Sequence, residues 1–160
     1  MSEDKLFMTF EANTIQHLGV KMYSTMPPAL AELIANAYDA CATVVKIRLY
    51  DQEEKVVIVE DNGCGMSFEE VNNFFLRIGR NRREEQQHSQ CGRIPTGKKG
   101  LGKLALFGIG DRINIKTLKN EECVSFDLDW NEILHTKGRD YEPAFERLEN
   151  KESKRGTTIT

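Results

Sequence analysis

Three short stretches carry residue types and spacings that chemistry can use. In ELIANAYDA, Glu32, Asn36 and Asp39 fall at i, i+4 and i+7, which is one face of a helix. Taken alone, this is the solvated side of an amphipathic helix. Asn36 suits that reading poorly, because asparagine prefers caps and turns, and an amide between two alanines in mid-helix points to a bound ligand. In EDNGCGM, residues 60–66, an apolar run delivers Asp61 to its end, and Gly63 and Gly65 permit a positive φ or a close backbone approach. These residues read either as a glycine turn in which Asp61 bonds its own backbone, or as a site where its carboxylate accepts from an exocyclic amine while the glycines admit a flat ring. In GKKGLGKLALFGIG, residues 97–110, glycines ahead of a helix would gather free N–H groups and the positive end of a helix dipole, an arrangement that holds phosphate. Gly97 to Lys103 also matches G-x-x-x-x-G-K, but Leu104 stands where that loop needs Ser or Thr, and no buried strand leads into it.

The elements that must position these groups follow from punctuation and period. The double proline Pro27-Pro28 opens a helix, since proline suits a first turn, with Ser24 or Thr25 as its cap. Along ALAELIANAYDACA, Leu30, Leu33, Ile34, Ala37 and Ala40 make an apolar stripe at helical spacing. VVKIRLY and KVVIVED alternate apolar with polar residues about the turn DQEE, which predicts an antiparallel hairpin. Ser67 and Glu70 form a capping box for a helix through about Ile78. From Gly79 to Gly97 the chain nearly lacks apolar residues and reads as a mobile loop. Arg77, Arg80, Arg82 and Arg83 cluster at its start, open to phosphate or simply to solvent. Leu101 to Phe107 reads as a short buried helix, RINIKT and CVSFDLD as strands about the turn KNEE, and GTTIT as a strand beginning as the sequence stops. Residues 131–155 are charged and carry no single pattern.

Composition bounds the rest. The chain has 160 residues, 39% hydrophobic and 29% charged, with a net charge of -3. That describes one soluble domain, and folding at this length removes roughly 70% of the unfolded chain's surface from water. Disordered and fibrous classes are excluded. No apolar stretch approaches the ~20 residues that cross a bilayer, and MSEDKLFMTF lacks the basic and apolar regions of a signal peptide, so the cytoplasm is the expected compartment. Cys41, Cys64, Cys91 and Cys123 stand far apart without C-x-x-C spacing and are expected as free thiols.

Together and in this order, the motifs resemble the GHKL ATPases: DNA gyrase B subunits, ninety-kilodalton heat-shock chaperones, histidine kinases, MutL and the MORC proteins. ELIANAYDA resembles the N-box, DNGCGM the D-x-G-x-G box, GKKGLGKLALFGIG the glycine-rich lid and phosphate box, and RGTTIT the terminal G-T box. NAYDACATVVKI is most similar to the MutL, MORC and chaperone branches. The resemblance implies an α/β (α+β) Bergerat fold: a mixed, mostly antiparallel sheet with helices covering one face and ATP between the helices and a lid.

It also implies roles, residue by residue. Asn36 would coordinate magnesium at the nucleotide's phosphates, and Glu32, one turn earlier, would be the general base for the attacking water. Asp61 would bind the adenine amino group, Gly63 and Gly65 would let the ring lie against backbone, and Met66 would pack on it. Gly100, Leu101, Gly102, Lys103 and Leu104 would hold the phosphates, chiefly through amides and the Lys103 charge. Thr157 would support Asp61 through a water, and Asp39 would be structural or would back up the residues that touch the ligand. The implied function is a magnesium-dependent ATP-binding domain of a slow ATPase, a nucleotide-driven conformational switch. Residues 1–160 would be the truncated N-terminal part of a longer protein that binds ATP and ADP and forms an ATP-dependent homodimer, with no membrane partner. Two alternatives stand beside it: an ATP-gated binding or dimerisation module without significant hydrolysis, and the catalytic domain of a histidine-kinase-like phosphotransferase.

Overall fold

The computed structural model describes residues 5–10, 26–78, 91–94, 96, 106–135, 141–151 and 154–160. The chain order is β1 (Thr9–Phe10), α1 (Met26–Asp39), β2 (Val45–Asp51), β3 (Lys55–Asp61), α2 (Phe68–Glu70), β4 (Arg77–Ile78), β5 (Arg112–Lys119), β6 (Glu122–Asp129), α3 (Trp130–His135), β7 (Phe145–Glu149) and β8 (Gly156–Ile159). Six strands form one sheet in the order β2-β3-β8-β5-β6-β7, antiparallel throughout, while β1 and β4 pair separately and in parallel. This is the mixed, mostly antiparallel α/β architecture expected.

The last strand closes the sheet. β8 lies between the two hairpins, with Glu60 opposite Thr158 on one side and Thr117 opposite Thr157 on the other. One row of cross-strand partners runs Ile47, Val59, Ile159, Ile115, Phe126, Phe145 across all six strands. Directly opposed residues share a face, so this row is a continuous apolar band. Val59, Ile115 and Phe126 from it join Leu33 of α1 and Phe68 and Val71 after the capping box in a single buried core. Helices therefore cover that face. The other face carries Lys46, Arg48, Glu60, Lys116 and Thr158, with Arg48 and Glu60 paired at 2.7 Å. Period-two alternation also puts Val57, Val59 and Asp61 on the helix-covered face, so β3 hands Asp61 to the seam between sheet and helices.

Two expectations are corrected. The capping box forms as predicted, Ser67 accepting from the Glu70 amide and Glu70 from that of Ser67, but the helix does not run to Ile78. It passes into a π-helical turn, Val71–Phe75, and the chain leaves as β4 at Arg77. Val71 and Leu76 are fully buried, so packing sets where the turn ends. The apolar stripe of α1 is Ala29, Leu33 and Ala37, while Ile34 is 44% exposed. In the charged stretch after residue 130, α3 and β7 appear, anchored by Trp130, Ile133 and Tyr141 in the core. Of the predicted helix at Leu101 to Phe107, the described part is a 3₁₀ turn beginning at Leu106, with Leu106 and Phe107 buried.

Candidate functional site

α1 is the platform. Pro27 and Pro28 occupy its first turn, where a missing N–H costs nothing, and Ala29, Leu33 and Ala37 bury one edge. Glu32, Asn36 and Asp39 are all half-buried on this helix. The helix stops because Cys41 takes a left-handed φ of 64°, letting the Ala42 amide bond the Ala37 carbonyl at 2.9 Å and the Cys41 amide the Tyr38 carbonyl at 3.0 Å. That is a Schellman end with cysteine in the place that normally favours glycine.

The loop after β3 is sewn onto that helix end. Asn62 accepts from the amides of Thr43 and Val44 at 2.8 and 2.9 Å and donates to the Thr43 hydroxyl at 2.8 Å. The Cys64 amide donates to the Ala40 carbonyl at 2.8 Å. Gly63 is required here, since a Cβ on it would lie 2.7 Å from the Ala40 oxygen. Gly65 has φ +64 and faces β5, where a Cβ would lie 1.9 Å from the Leu118 oxygen. Both glycines thus serve close approaches to the protein's own backbone. Met66 follows, its amide donating to the Thr117 hydroxyl at 2.8 Å and its side chain packing on the core.

Asp61 sits inside this stitching. Its carboxylate accepts the Gly63 amide at 2.7 Å and also receives the Thr157 backbone N–H. Burial pushes its pKa above the usual carboxylate value, and those two amides pull the other way. The turn reading of Asp61 and the binding reading are therefore compatible: one side of the carboxylate is held by backbone, and an acceptor of this kind suits an amino group on a flat base. The Thr157 amide faces Asp61, and its hydroxyl lies 3.3 Å from that of Thr117. Thr117 is the residue that sequence reading missed. It is fully buried, it accepts from Met66, and it lies 3.4 Å from the Gly156 carbonyl, so it ties the loop to both β5 and β8. Its signal was a hydroxyl at the third inward position of Ile113, Ile115, Thr117, where an apolar residue is expected.

The segment at 91–96 docks on the same helix end. Cys41 and Cys91, 50 residues apart in sequence, form a disulfide with Cα atoms 6.0 Å apart. This corrects the expectation of four free thiols, which rested on spacing along the chain and could not register the fold's return; Cys64 and Cys123 are free. Arg93 donates to the carbonyls of Tyr38 and Ala42 at 3.1 and 2.8 Å and lies over the Tyr38 ring at 4.6 Å. Asp39 accepts the Thr96 amide at 2.8 Å and its hydroxyl at 3.0 Å. Gly100, Leu101, Gly102, Lys103 and Leu104, with Arg80, Arg82 and Arg83, lie outside the described residues; Arg77 is exposed in β4.

Among the described residues no group of three or more His, Cys, Asp or Glu side chains could enclose a metal. Glu32 and Asn36 lie one turn apart on α1, and both are half-buried. No helix among the described residues is long and apolar enough to cross a membrane.

Comparison with known proteins places this geometry. The chain is 39% identical over 120 residues to HgiDII of Herpetosiphon aurantiacus, named as a candidate type II restriction enzyme, covering 75% of this chain and 19% of that protein. It is 26% identical to the chaperone protein HtpG of Paraburkholderia xenovorans over all of this chain and 28% of the chaperone. With HtpG of Nitrosomonas europaea it shares 28% identity, over 75% of this chain and 22% of the other. The chain therefore spans less than a third of the length of these relatives. Residues 23–157, from just before α1 into β8, match the family described as histidine kinase-, DNA gyrase B- and HSP90-like ATPases, and the chain belongs to that family.

Proposed function

We propose that this chain is the N-terminal nucleotide module of a longer protein, that it binds ATP with magnesium and hydrolyses it slowly, and that it uses the bound state to switch conformation. The observation that carries the proposal is the placing of Asp61, half-buried at the seam between sheet and α1, with its carboxylate steadied by the Gly63 and Thr157 amides. Asp61 accepts the adenine amino group, and Met66 lines the ring. On α1, Asn36 holds the cation and Glu32 draws the proton from the attacking water, consistent with two half-buried side chains one helical turn apart. Magnesium, when bound, supplies charge neutralisation at the phosphates. Gly100, Leu101, Gly102, Lys103 and Leu104 take the phosphates through amides and one ammonium. The relatives' names belong in one case to a restriction enzyme and in another to a chaperone, which favours a switch that serves different effector domains. The proposed compartment is the cytoplasm, and the longer protein dimerises when ATP is bound.

A binding module without hydrolysis is the second reading. Glu32 favours hydrolysis, because holding a nucleotide requires no general base. Calorimetry with ATP, ADP and GTP, with and without magnesium, and hydrolysis assays on Glu32→Ala in the longest active protein separate the two. Equal affinity for GTP removes the adenine role of Asp61. Glu32→Ala should keep ATP affinity and lose turnover by a factor on the order of 100; undiminished turnover assigns the water elsewhere.

A further inference from the structure

The helix that carries Glu32 and Asn36 ends in a place held by three different bonds to one short segment. The Cys41–Cys91 disulfide fixes the left-handed residue of the helix end. Arg93 donates to the Ala42 carbonyl and to the Tyr38 carbonyl, which also accepts the Cys41 amide, and it stacks on Tyr38. Asp39 takes the amide and hydroxyl of Thr96. In sequence, Thr96 immediately precedes Gly97, where the glycine run begins.

These bonds are unequal. The Asp39 contacts and one of the two Arg93 bonds are exposed, and such bonds in water contribute little. The disulfide is the strong member, and it is also reachable, Cys91 being exposed and Cys41 half-exposed. An exposed disulfide is the kind that exchanges with small thiols. Cysteine at the left-handed position adds a second observation, since glycine would adopt that φ without cost.

We infer that Cys41 and Cys91 form a reversible redox latch that holds residues 91–94 and 96 on the end of α1, and that the oxidised latch raises nucleotide affinity by fixing the end of the helix that carries Glu32 and Asn36. The inference rests on the nucleotide-site reading above. In opening, the thiolate of a low-molecular-weight thiol attacks one sulfur of the pair and breaks the S–S bond, giving a mixed disulfide and one cysteine thiolate. A second small thiol displaces the first, so that the protein gains two electrons and two protons and the reductant leaves as its disulfide. Closing is the reverse, with a low-molecular-weight disulfide as oxidant. With the latch open, the segment keeps its noncovalent contacts, those of Arg93 and Asp39 among them, but loses the cross-link, and the docked fraction falls.

The test equilibrates the wild-type protein with oxidised glutathione or with dithiothreitol and reads three things: cysteines alkylated after denaturation, amide exchange at residues 38–42 and 91–96, and affinity for magnesium with a non-hydrolysable ATP analogue. Oxidised protein should show only Cys64 and Cys123 alkylated, and reduced protein all four cysteines. Reduction should speed exchange at the Thr96 amide and weaken binding about three- to tenfold, as expected if the docked fraction drops to about a third or a tenth. The Cys41→Ser/Cys91→Ser variant should bind like reduced wild type and ignore redox state. Four alkylated cysteines after oxidation, affinity that ignores the redox state, or a variant that still responds to it each overturn the latch. Absence of analogue binding in both states overturns the nucleotide reading instead, and the affinity effect with it.

Discussion

Gly156→Ala should be among the most damaging single substitutions in this domain, and the reason can be worked atom by atom. Gly156 begins β8 with φ +129, a conformation that L side chains rarely adopt, and a Cβ there would lie 2.0 Å from the carbonyl oxygen of Asp61 and 3.1 Å from Cα of Asn62. Both obstacles are backbone, so no side chain can swing aside. Relief requires β8 to move by roughly 1 Å from the end of β3, against normal van der Waals separations. β8 is paired on both sides, and the Thr157 amide bond to Asp61 starts at the next residue. Backbone strain of about 1 to 3 kcal/mol, plus one or two hydrogen bonds at about 1 kcal/mol each, gives a loss of about 2 to 5 kcal/mol. With a urea m-value of about 2 kcal/mol/M, the midpoint should fall by about 2 M. Gly92 is the control: its φ is +77 with nothing within 4 Å of a Cβ, so Gly92→Ala carries conformational strain alone, about 1 to 2 kcal/mol. If urea melts of the two variants show equal losses, the close approach of β8 to Asp61 is not what makes Gly156 necessary.

Three further outcomes follow from named contacts. Asp61→Asn should weaken ATP binding about ten- to a hundredfold by calorimetry, since a charge-assisted hydrogen bond is replaced. The same variant should be no less stable than wild type at pH 7, because burial raises the Asp61 pKa. Wild type should then gain on the variant as pH falls through the folded value toward the ordinary aspartate value of 3.8, and a pH-independent gap in urea melts would contradict this. Glu70→Ala loses the capping box and the bond from Lys119, about 1 to 2 kcal/mol at neutral pH. For Glu70, burial alone would raise the pKa, but the Lys119 and Ser67 bonds outweigh it and hold it below 4.5, so the contribution is present above that pH and the variant's deficit should shrink as pH falls through the folded value. Cys91→Ser removes a cross-link closing 50 residues, worth about 4 kcal/mol in the chain-entropy account, against oxidised wild type; a midpoint shift corresponding to under 1 kcal/mol would show that the pair does not constrain the unfolded chain.

What the sequence disclosed was what depends on near neighbours. The hairpins β2–β3 and β5–β6 alternate apolar and polar residues, and turns of a few polar residues fix their register, so both were legible. The capping box at Ser67 was legible because its two bonds span three residues. The course of the chain beyond it was not, since burial of Val71 and Leu76 against strands far away turned the helix into a π-turn. The stripe on α1 was placed nearly right, but helical spacing alone could not tell that Ala29, Leu33 and Ala37 face the core while Ile34 does not. In the candidate site, Asp61 and Thr157 were named together, although their contact is a backbone amide that pattern cannot specify. Thr117 and the Cys41–Cys91 bridge escaped notice for a shared reason: each acts through partners about 40 or 50 residues away, and only the closed sheet makes them neighbours.

The site's dependence on distant contacts bears on how a nucleotide can act here. Asp61 belongs to the sheet, and Glu32 and Asn36 to the helix, while their present mutual support is the stitching at Ala40, Asn62 and Cys64. A ligand that touches Asp61 at one end and α1 at the other adds a cross-link between the two layers, favouring only conformations in which both are in place. Its power to switch is bounded by that preference, not by its total affinity. At a hundredfold excess over Kd, binding to the assembled form alone contributes about 2.7 kcal/mol. That is comparable to the few kcal/mol assigned above to Gly156 or to the disulfide, so the proposed nucleotide and latch would act on the helix end with similar weight. The proposed switch therefore needs no exceptional affinity: a ligand bound to both layers would weigh as much as the few bonds that join Asn62 and Cys64 to the end of α1.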